Sequence, residues 1–322
     1  MKIVVLDGKT TAASGDFSWD WLSQYGDYTV YDRTPKEETV SRAKDADIIV
    51  TNKTVLSKEV LEQCENVKFI ALLSTGYNVV DCEYAAQRGI PVSNIPSYST
   101  EAVAQMTFAL ILEITNAVAL HSKAVHDGEW CRCEDFCFWK TPLTELSGKT
   151  LGIVGFGKIG KAVAQIARAF SMEVLVYAPR RHGFRGGDGV HFVTLEALRE
   201  GSDIITFHCP LNDETEKMVN ADFISSMKDG AIIINTARGQ IVDEQALYEA
   251  LKSGKISAAG VDVLSVEPPK ADNPLLKAEN CFITPHISWA GYETRARLLE
   301  IFKGNIDAFA KGSPRNVVNN IG

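Results

Sequence analysis

The chain has 322 residues, 45% of them hydrophobic and 23% charged, the composition of an ordinary globular protein with core enough for about two domains. A formal net charge of −8 argues against general affinity for nucleic acid or an acidic membrane surface, both of which reward clustered Lys and Arg. Any anionic ligand must therefore be captured by a local feature.

Residues 1–7 read as a first strand with a charge at each end, too short for the apolar core of a signal peptide. No apolar run reaches the roughly 18 residues of a membrane span, and a cytoplasmic protein is expected. The seven cysteines then read as reduced thiols. Cys131, Cys133 and Cys137 cluster, but without a CxxC pair or a His at finger spacing, so no metal is expected.

Short aliphatic runs alternate with helical patterns from the start, with strands predicted at 2–6, 28–31, 47–51, 68–73 and 90–93. Continuous runs of this kind suit strands buried on both faces of a parallel sheet. One long apolar helix follows over 100–125, with Val103, Met106, Leu110 and Ile114 on its buried side, long enough to lead from one domain to another. Past residue 150 the alternation resumes, with strands predicted at 150–154, 173–177, 203–208, 231–235, 259–263 and 281–284, a second doubly wound unit. Residues 180–189 read as a polar loop, and 292–311 as a closing amphipathic helix burying Ala296, Leu299, Ile301 and Phe302.

The run Gly155, Phe156, Gly157, Lys158, Ile159, Gly160 sits between the strand at 150–154 and a helix in which Ile159, Val163, Ile166 and Phe170 share a face. In that context the three glycines serve a tight turn, a close backbone approach to a pyrophosphate and close packing of helix on strand. The helix N-terminus adds free N–H groups and the positive end of its dipole. Three further segments follow strands of the second unit: 235–239, 262–268 and 284–287. Ligands of open parallel sheets bind outside the carboxyl ends of the strands, so Arg238, Glu267 and His286 can face one crevice. Their types suit reduction of a 2-oxo acid. An Arg grips a carboxylate at two points and polarises a neighbouring carbonyl, a His exchanges the alcohol proton, and a Glu beside it favours the charged ring.

Taken with residues 51–54, 74–81, 146–157 and 208–211, these segments resemble the D-isomer-specific 2-hydroxyacid dehydrogenases over nearly the whole chain, closest to the glycerate dehydrogenase or hydroxypyruvate reductase branch. The resemblance implies an α/β fold in which a Rossmann nucleotide-binding domain (99–290) is inserted into a flavodoxin-like substrate domain (1–98 and 291–322). It implies Arg238, Glu267 and His286 as the catalytic set, with the backbone around Thr75, Gly76 and Tyr77 receiving the substrate carboxylate beside Lys53. It also implies coenzyme contacts along 155–160 and at His208, Cys209, Pro210, Thr236, Ala237 and Asp262. His208 precedes a Pro-Leu pair at a strand end, where the family uses backbone near the adenosine. Trp130, Phe136, Trp139 and Trp289 are candidates for the pocket wall. A homodimer through the nucleotide domain is expected, with the helix after Thr100 at its interface.

The expected reaction is reduction of a small 2-oxo acid, hydroxypyruvate or glyoxylate. Alternatives are a D-lactate or phosphoglycerate dehydrogenase of the same family, or a nucleotide-sensing corepressor on the same fold. The sequence shows neither a basic region nor a disordered extension for the last, nor the long C-terminal regulatory domain of many phosphoglycerate dehydrogenases. One departure bears on the coenzyme. NAD-preferring Rossmann sites carry an acidic residue near the end of the second strand, to accept from the ribose 2′-hydroxyl. Here Ala178 stands at that position and Arg180 and Arg181 follow, which suits a 2′-phosphate and leans towards NADP over NAD.

Overall fold

The computed structural model describes residues 1–12, 15–179 and 189–320. The chain forms two compact units, Met1–Tyr98 with Ala290–Gly322, and Ser99–Trp289.

In the first unit, β1 (Lys2–Val5), β2 (Asp27–Val30), β3 (Ile48–Thr51), β4 (Phe69–Leu72) and β5 (Val92–Ser93) pair in parallel in the order β2-β1-β3-β4-β5, the flavodoxin-like winding. β3 and β4 are buried at every position, as their unbroken apolar sequences require. The closing helix, Tyr292–Ala310, covers β4, with Phe309 stacked on Phe69 at 4.4 Å between ring centroids. Its buried face differs from the apolar stripe expected. Phe302 is buried, whereas Ala296, Leu299 and Ile301 are half-buried, and Thr294, Arg295, Leu298, Asn305 and Ile306 complete the inner face. The polar members are tolerated because they are paired: Arg295 makes two hydrogen bonds to Asp16, at 2.9 and 2.6 Å, and Asn305 donates to the Asn94 carbonyl at 3.0 Å.

The second unit holds β6 (Thr150–Val154), β7 (Glu173–Tyr177), β8 (Val190–Phe192), β9 (Ile204–Phe207), β10 (Ala231–Asn235), β11 (Ile256–Val261) and β12 (Cys281–Ile283). They form one parallel sheet in the order β12-β11-β10-β9-β6-β7-β8. The order in which successive strands are added reverses between β6 and β9, the switch point at which doubly wound sheets open a crevice. Two apolar clusters, one including Phe207, Ile233 and Leu247 and the other Leu151, Ile153 and Val163, form the core of the unit.

The expected single helix over 100–125 is two, Thr100–Asn116 and Val118–His126, bent by 55° at Ala117, which takes a left-handed φ of 45°. Val103, Ala104, Thr107, Phe108, Leu110 and Ile111 of the first helix are buried within their own unit, against the helix Lys158–Ala169 and β11. That apolar face is part of the core of its own unit. Exposed apolar side chains occur further on instead, at Val118, Leu120, Val125, Trp130, Phe136 and Trp139. Among the described residues no single helix is long and apolar enough to cross a membrane.

Candidate active site

β6 runs into the glycine turn at the switch point. Gly155 has φ +96°, and a Cβ there would stand 2.7 Å from the backbone of His208 and Cys209 just beyond β9. A side chain at Gly160 would meet the Gly155 carbonyl at 2.2 Å, so this glycine lets the helix seat against the turn. Gly157 differs: it caps the helix Lys158–Ala169 with ordinary backbone angles, and a Cβ there would meet nothing within 4 Å. No side chain caps that helix start. Open space above uncapped N–H groups at a helix N-terminus fits a dinucleotide's pyrophosphate, an anion the chain's net charge of −8 would otherwise repel.

Around this turn, Phe156 is buried and packs edge-on against Phe192. His208 donates its N–H to Val154 at 2.8 Å, and its ring lies 3.0 Å from the Thr206 hydroxyl. Burial pushes the half-buried His208 ring down to about 3, which favours its neutral form. Burial likewise pushes the Cys209 thiol up to about 11. Pro210 is exposed, and its carbonyl accepts from Thr215 at 2.8 Å. Ala178 is the first residue beyond β7, half-buried and without a carboxylate. Arg180 and Arg181 lie outside the described residues.

Arg238 follows β10 in a loop held by Asn235. The Asn235 amide accepts from Ala237 N–H at 3.0 Å and donates to the Arg238 carbonyl at 2.9 Å, a side chain mimicking a turn. Gly239 then lies so close to the chain beyond β11 that a Cβ would fall 1.9 Å from the Leu264 carbonyl carbon. The Arg238 loop therefore abuts the segment leading to Glu267, while the Arg238 side chain is exposed, with one nitrogen 2.6 Å from the Ala237 carbonyl. Thr236 is buried, its hydroxyl 3.2 Å from that of Thr107.

Glu267 and His286, 19 residues apart, meet at 2.7 Å between Oε2 and Nδ1. The other Glu267 oxygen accepts from Leu264 N–H at 3.1 Å, so the carboxylate is oriented from both sides. His286 sits at φ +54° in the segment after β12. Asp262 fixes that segment: it accepts from the Thr284 hydroxyl at 2.6 Å, from the N–H groups of Ile287 and Ser288 at 2.9 Å each, and from the Ser288 hydroxyl. The buried Asp262 carboxylate, expected at the coenzyme, thus holds the segment that carries His286.

The first unit carries the other expected residues. Asp7, which no motif in the sequence marks, gathers the N–H groups of Asn52, Lys53 and Thr54 at 2.7, 2.6 and 2.8 Å and so shapes the turn that exposes Lys53. After β4, the Ser74 hydroxyl donates to the Gly76 carbonyl at 2.7 Å, Asn94 to the Thr75 carbonyl at 2.7 Å, and the Thr75 hydroxyl to the Ile95 carbonyl at 2.7 Å. The acceptors of this turn are thereby used. Among the described residues none accepts from the N–H groups of Thr75, Gly76 or Tyr77. Of the aromatics considered for a pocket wall, Trp130, Phe136 and Trp139 are 51%, 89% and 68% exposed, and only Trp289 is half-buried.

Residues 108–288 match the family described as D-isomer specific 2-hydroxyacid dehydrogenase, NAD binding domain. Over 322 residues, 99% of this chain and 100% of the relative, the sequence is 51% identical to a hydroxypyruvate reductase of Blautia hydrogenotrophica. It is 39% identical over 295 residues, 91% of this chain and 92% of the relative, to a glycerate dehydrogenase of Methylorubrum extorquens. Among solved structures, an NADPH-dependent glyoxylate/hydroxypyruvate reductase of Sinorhizobium meliloti, in complex with NADP and malonate, aligns with a TM-score of 0.82 at 28% identity, covering 98% of this chain and 96% of that one.

Proposed function

We propose that this chain, which belongs to the D-isomer-specific 2-hydroxyacid dehydrogenases, reduces hydroxypyruvate to D-glycerate or glyoxylate to glycolate. It is an oxidoreductase acting with a nicotinamide dinucleotide on the CH–OH group of hydroxy acids. The observation that carries the assignment of roles is the Glu267–His286 pair at 2.7 Å, beyond the carboxyl ends of the sheet that holds the glycine turn.

In this reading the inserted unit, 99–290, is the nucleotide domain, and 1–98 with 291–322 is the substrate domain. The coenzyme, when bound along the turn 155–160, supplies the hydride. Glu267 holds Nδ1 of His286, which leaves Nε2 to give its proton to the oxygen of the carbonyl being reduced. Arg238 pairs with the substrate carboxylate and polarises that carbonyl, its planar fork matching the acid at two points. The N–H groups of Thr75, Gly76 and Tyr77 are donors of the kind a carboxylate accepts, and Lys53 adds a positive charge in the same unit. Backbone of His208, Cys209 and Pro210, with Thr236 and Ala237, lines the coenzyme's place. Ala178 in place of an acidic residue supports NADP over NAD, with Arg180 and Arg181 as partners for a 2′-phosphate. A homodimer would bury the exposed apolar side chains between Val118 and Trp139. The seven free thiols suit a reducing compartment, and we place the enzyme in the cytoplasm.

Steady-state kinetics with hydroxypyruvate, glyoxylate, pyruvate and a bulkier 2-oxo acid, each with NADH and NADPH, tests the reading. The highest kcat/KM is expected for hydroxypyruvate or glyoxylate with NADPH. A clear preference for pyruvate or a bulky acid would replace the substrate assignment, and a preference for NADH would replace the coenzyme assignment.

A further inference from the structure

Glu267 lies in a stretch, 266–272, in which every residue is exposed, so packing does little to hold the group that orients His286. The two residues flanking that stretch meet one carboxylate. Glu244, the first residue of the helix Glu244–Ser253, accepts from Ser265 N–H at 2.7 Å, from the Ser265 hydroxyl at 2.7 Å and from the Asn273 amide at 2.9 Å. The Ser265 carbonyl accepts in turn from Gln240 at 2.9 Å, so each polar group of Ser265 is tied down. Gln240 belongs to the loop that carries Arg238, and Gly239 beside it lets that loop touch Leu264 and Ser265.

We propose that Glu244 is a positioning residue for the reaction: by closing both ends of the 266–272 stretch on one carboxylate, it sets where Glu267 holds His286. The inference rests on the catalytic reading of Glu267 and His286 given above. The chemistry calls for a carboxylate rather than an amide. Its two oxygens receive three donors, and Asn273 cannot turn its amide round to offer an acceptor, because its own oxygen already takes Leu275 N–H at 3.0 Å. A Gln at 244 would set an NH₂ against one of these donors. The helix N-terminus also favours a negative charge at this position.

The test is a double-mutant cycle in the full-length enzyme, reading kcat for 2-oxo acid reduction, coenzyme KM and thermal stability for Glu244→Gln, Glu267→Gln and the pair. Glu244→Gln is expected to lower kcat by about 10- to 100-fold, the scale of an ångström-sized misplacement, with coenzyme KM within about twofold of the parent. Because Glu244 acts through Glu267, its effect on kcat should nearly vanish in the Glu267→Gln background. Ser265→Ala, which keeps the N–H contact and loses only the hydroxyl, should show a smaller loss with the same non-additivity, and replaces Glu244→Gln in the cycle if that variant does not fold. Parent-like kcat in Glu244→Gln, or a loss that simply adds to that of Glu267→Gln, overturns the proposal while leaving the catalytic reading intact. Parent-like kcat in Glu267→Gln overturns both.

Discussion

Gly157→Ala separates coenzyme binding from folding more cleanly than any other single change in the turn. A methyl at 157 meets no atom within 4 Å, and the residue has φ −75°, which alanine adopts freely. Restricting the unfolded chain stabilises by about 0.4–1 kcal/mol, while alanine at a helix N-cap costs about as much, so stability should stay within about 1 kcal/mol of the parent. For a unit of this size that is a shift in Tm of about 2–4 °C at most. Coenzyme affinity should fall much further. The methyl fills the space a phosphate needs, and loss of one charge-assisted hydrogen bond of about 1.5–3 kcal/mol weakens binding roughly 10- to 150-fold. Gly155→Ala is the contrasting control. Its methyl would press on the His208 and Cys209 backbone at 2.7 Å, from a φ of +96°. Left-handed strain of about 1–2 kcal/mol and overpacking of about 1–3 kcal/mol together lower Tm by several degrees. Calorimetric titration of NADPH and NADH beside thermal melts of both variants gives the readout. Unchanged affinity in Gly157→Ala would show that the turn does not hold the phosphates, and a Tm loss matching that of Gly155→Ala would refute the local packing described here.

His286→Ala should lower turnover by about 10² to 10⁴ with coenzyme affinity little changed, as steady-state kinetics and titration would report. Because reduction draws a proton from His286 and oxidation delivers one to it, initial rates should fall with rising pH for reduction and rise for oxidation, and parallel profiles would remove the ring from the proton path. Arg238→Lys keeps the charge but not the two-point contact, so kcat/KM for the 2-oxo acid should drop at least about tenfold; a parent-like value would move carboxylate binding to the 75–77 turn. Arg180→Ala and Ala178→Asp should each lower the ratio of kcat/KM for NADPH over NADH by about tenfold, the first by removing a phosphate partner and the second by repelling phosphate and adding a ribose acceptor.

Strands with continuous aliphatic runs were legible to the residue, as at Glu173–Tyr177 and Ala231–Asn235. β11 begins at Ile256, earlier than its sequence indicates, because exposed Ser257 interrupts the apolar run while the backbone keeps its pairing. Val190–Phe192 was hidden by its brevity and by the polar, glycine-rich sequence before it. The bend at Ala117 carries no Gly or Pro to announce it, and alanine seldom takes a left-handed φ. In the site, residue types and their place at strand ends singled out Arg238, Glu267 and His286, and the fold joins the last two in one hydrogen bond. The anchors were another matter. Asp7 acts on residues 51–54, Glu244 on Ser265 and Asn273, and Asp262 on the segment 284–288, each across a register that only the folded sheet defines. Asn235, at a strand end two residues before Ala237, was the one anchor a local turn pattern could have revealed.

Chirality of the product tests the central claim most directly. Hydroxypyruvate is incubated with the enzyme and excess NADPH, and the glycerate formed is resolved by chiral chromatography. D-glycerate, formed mole for mole with the NADPH consumed, is the result expected of this enzyme. L-glycerate, or no turnover of either hydroxypyruvate or glyoxylate with either coenzyme, would contradict the function proposed for it.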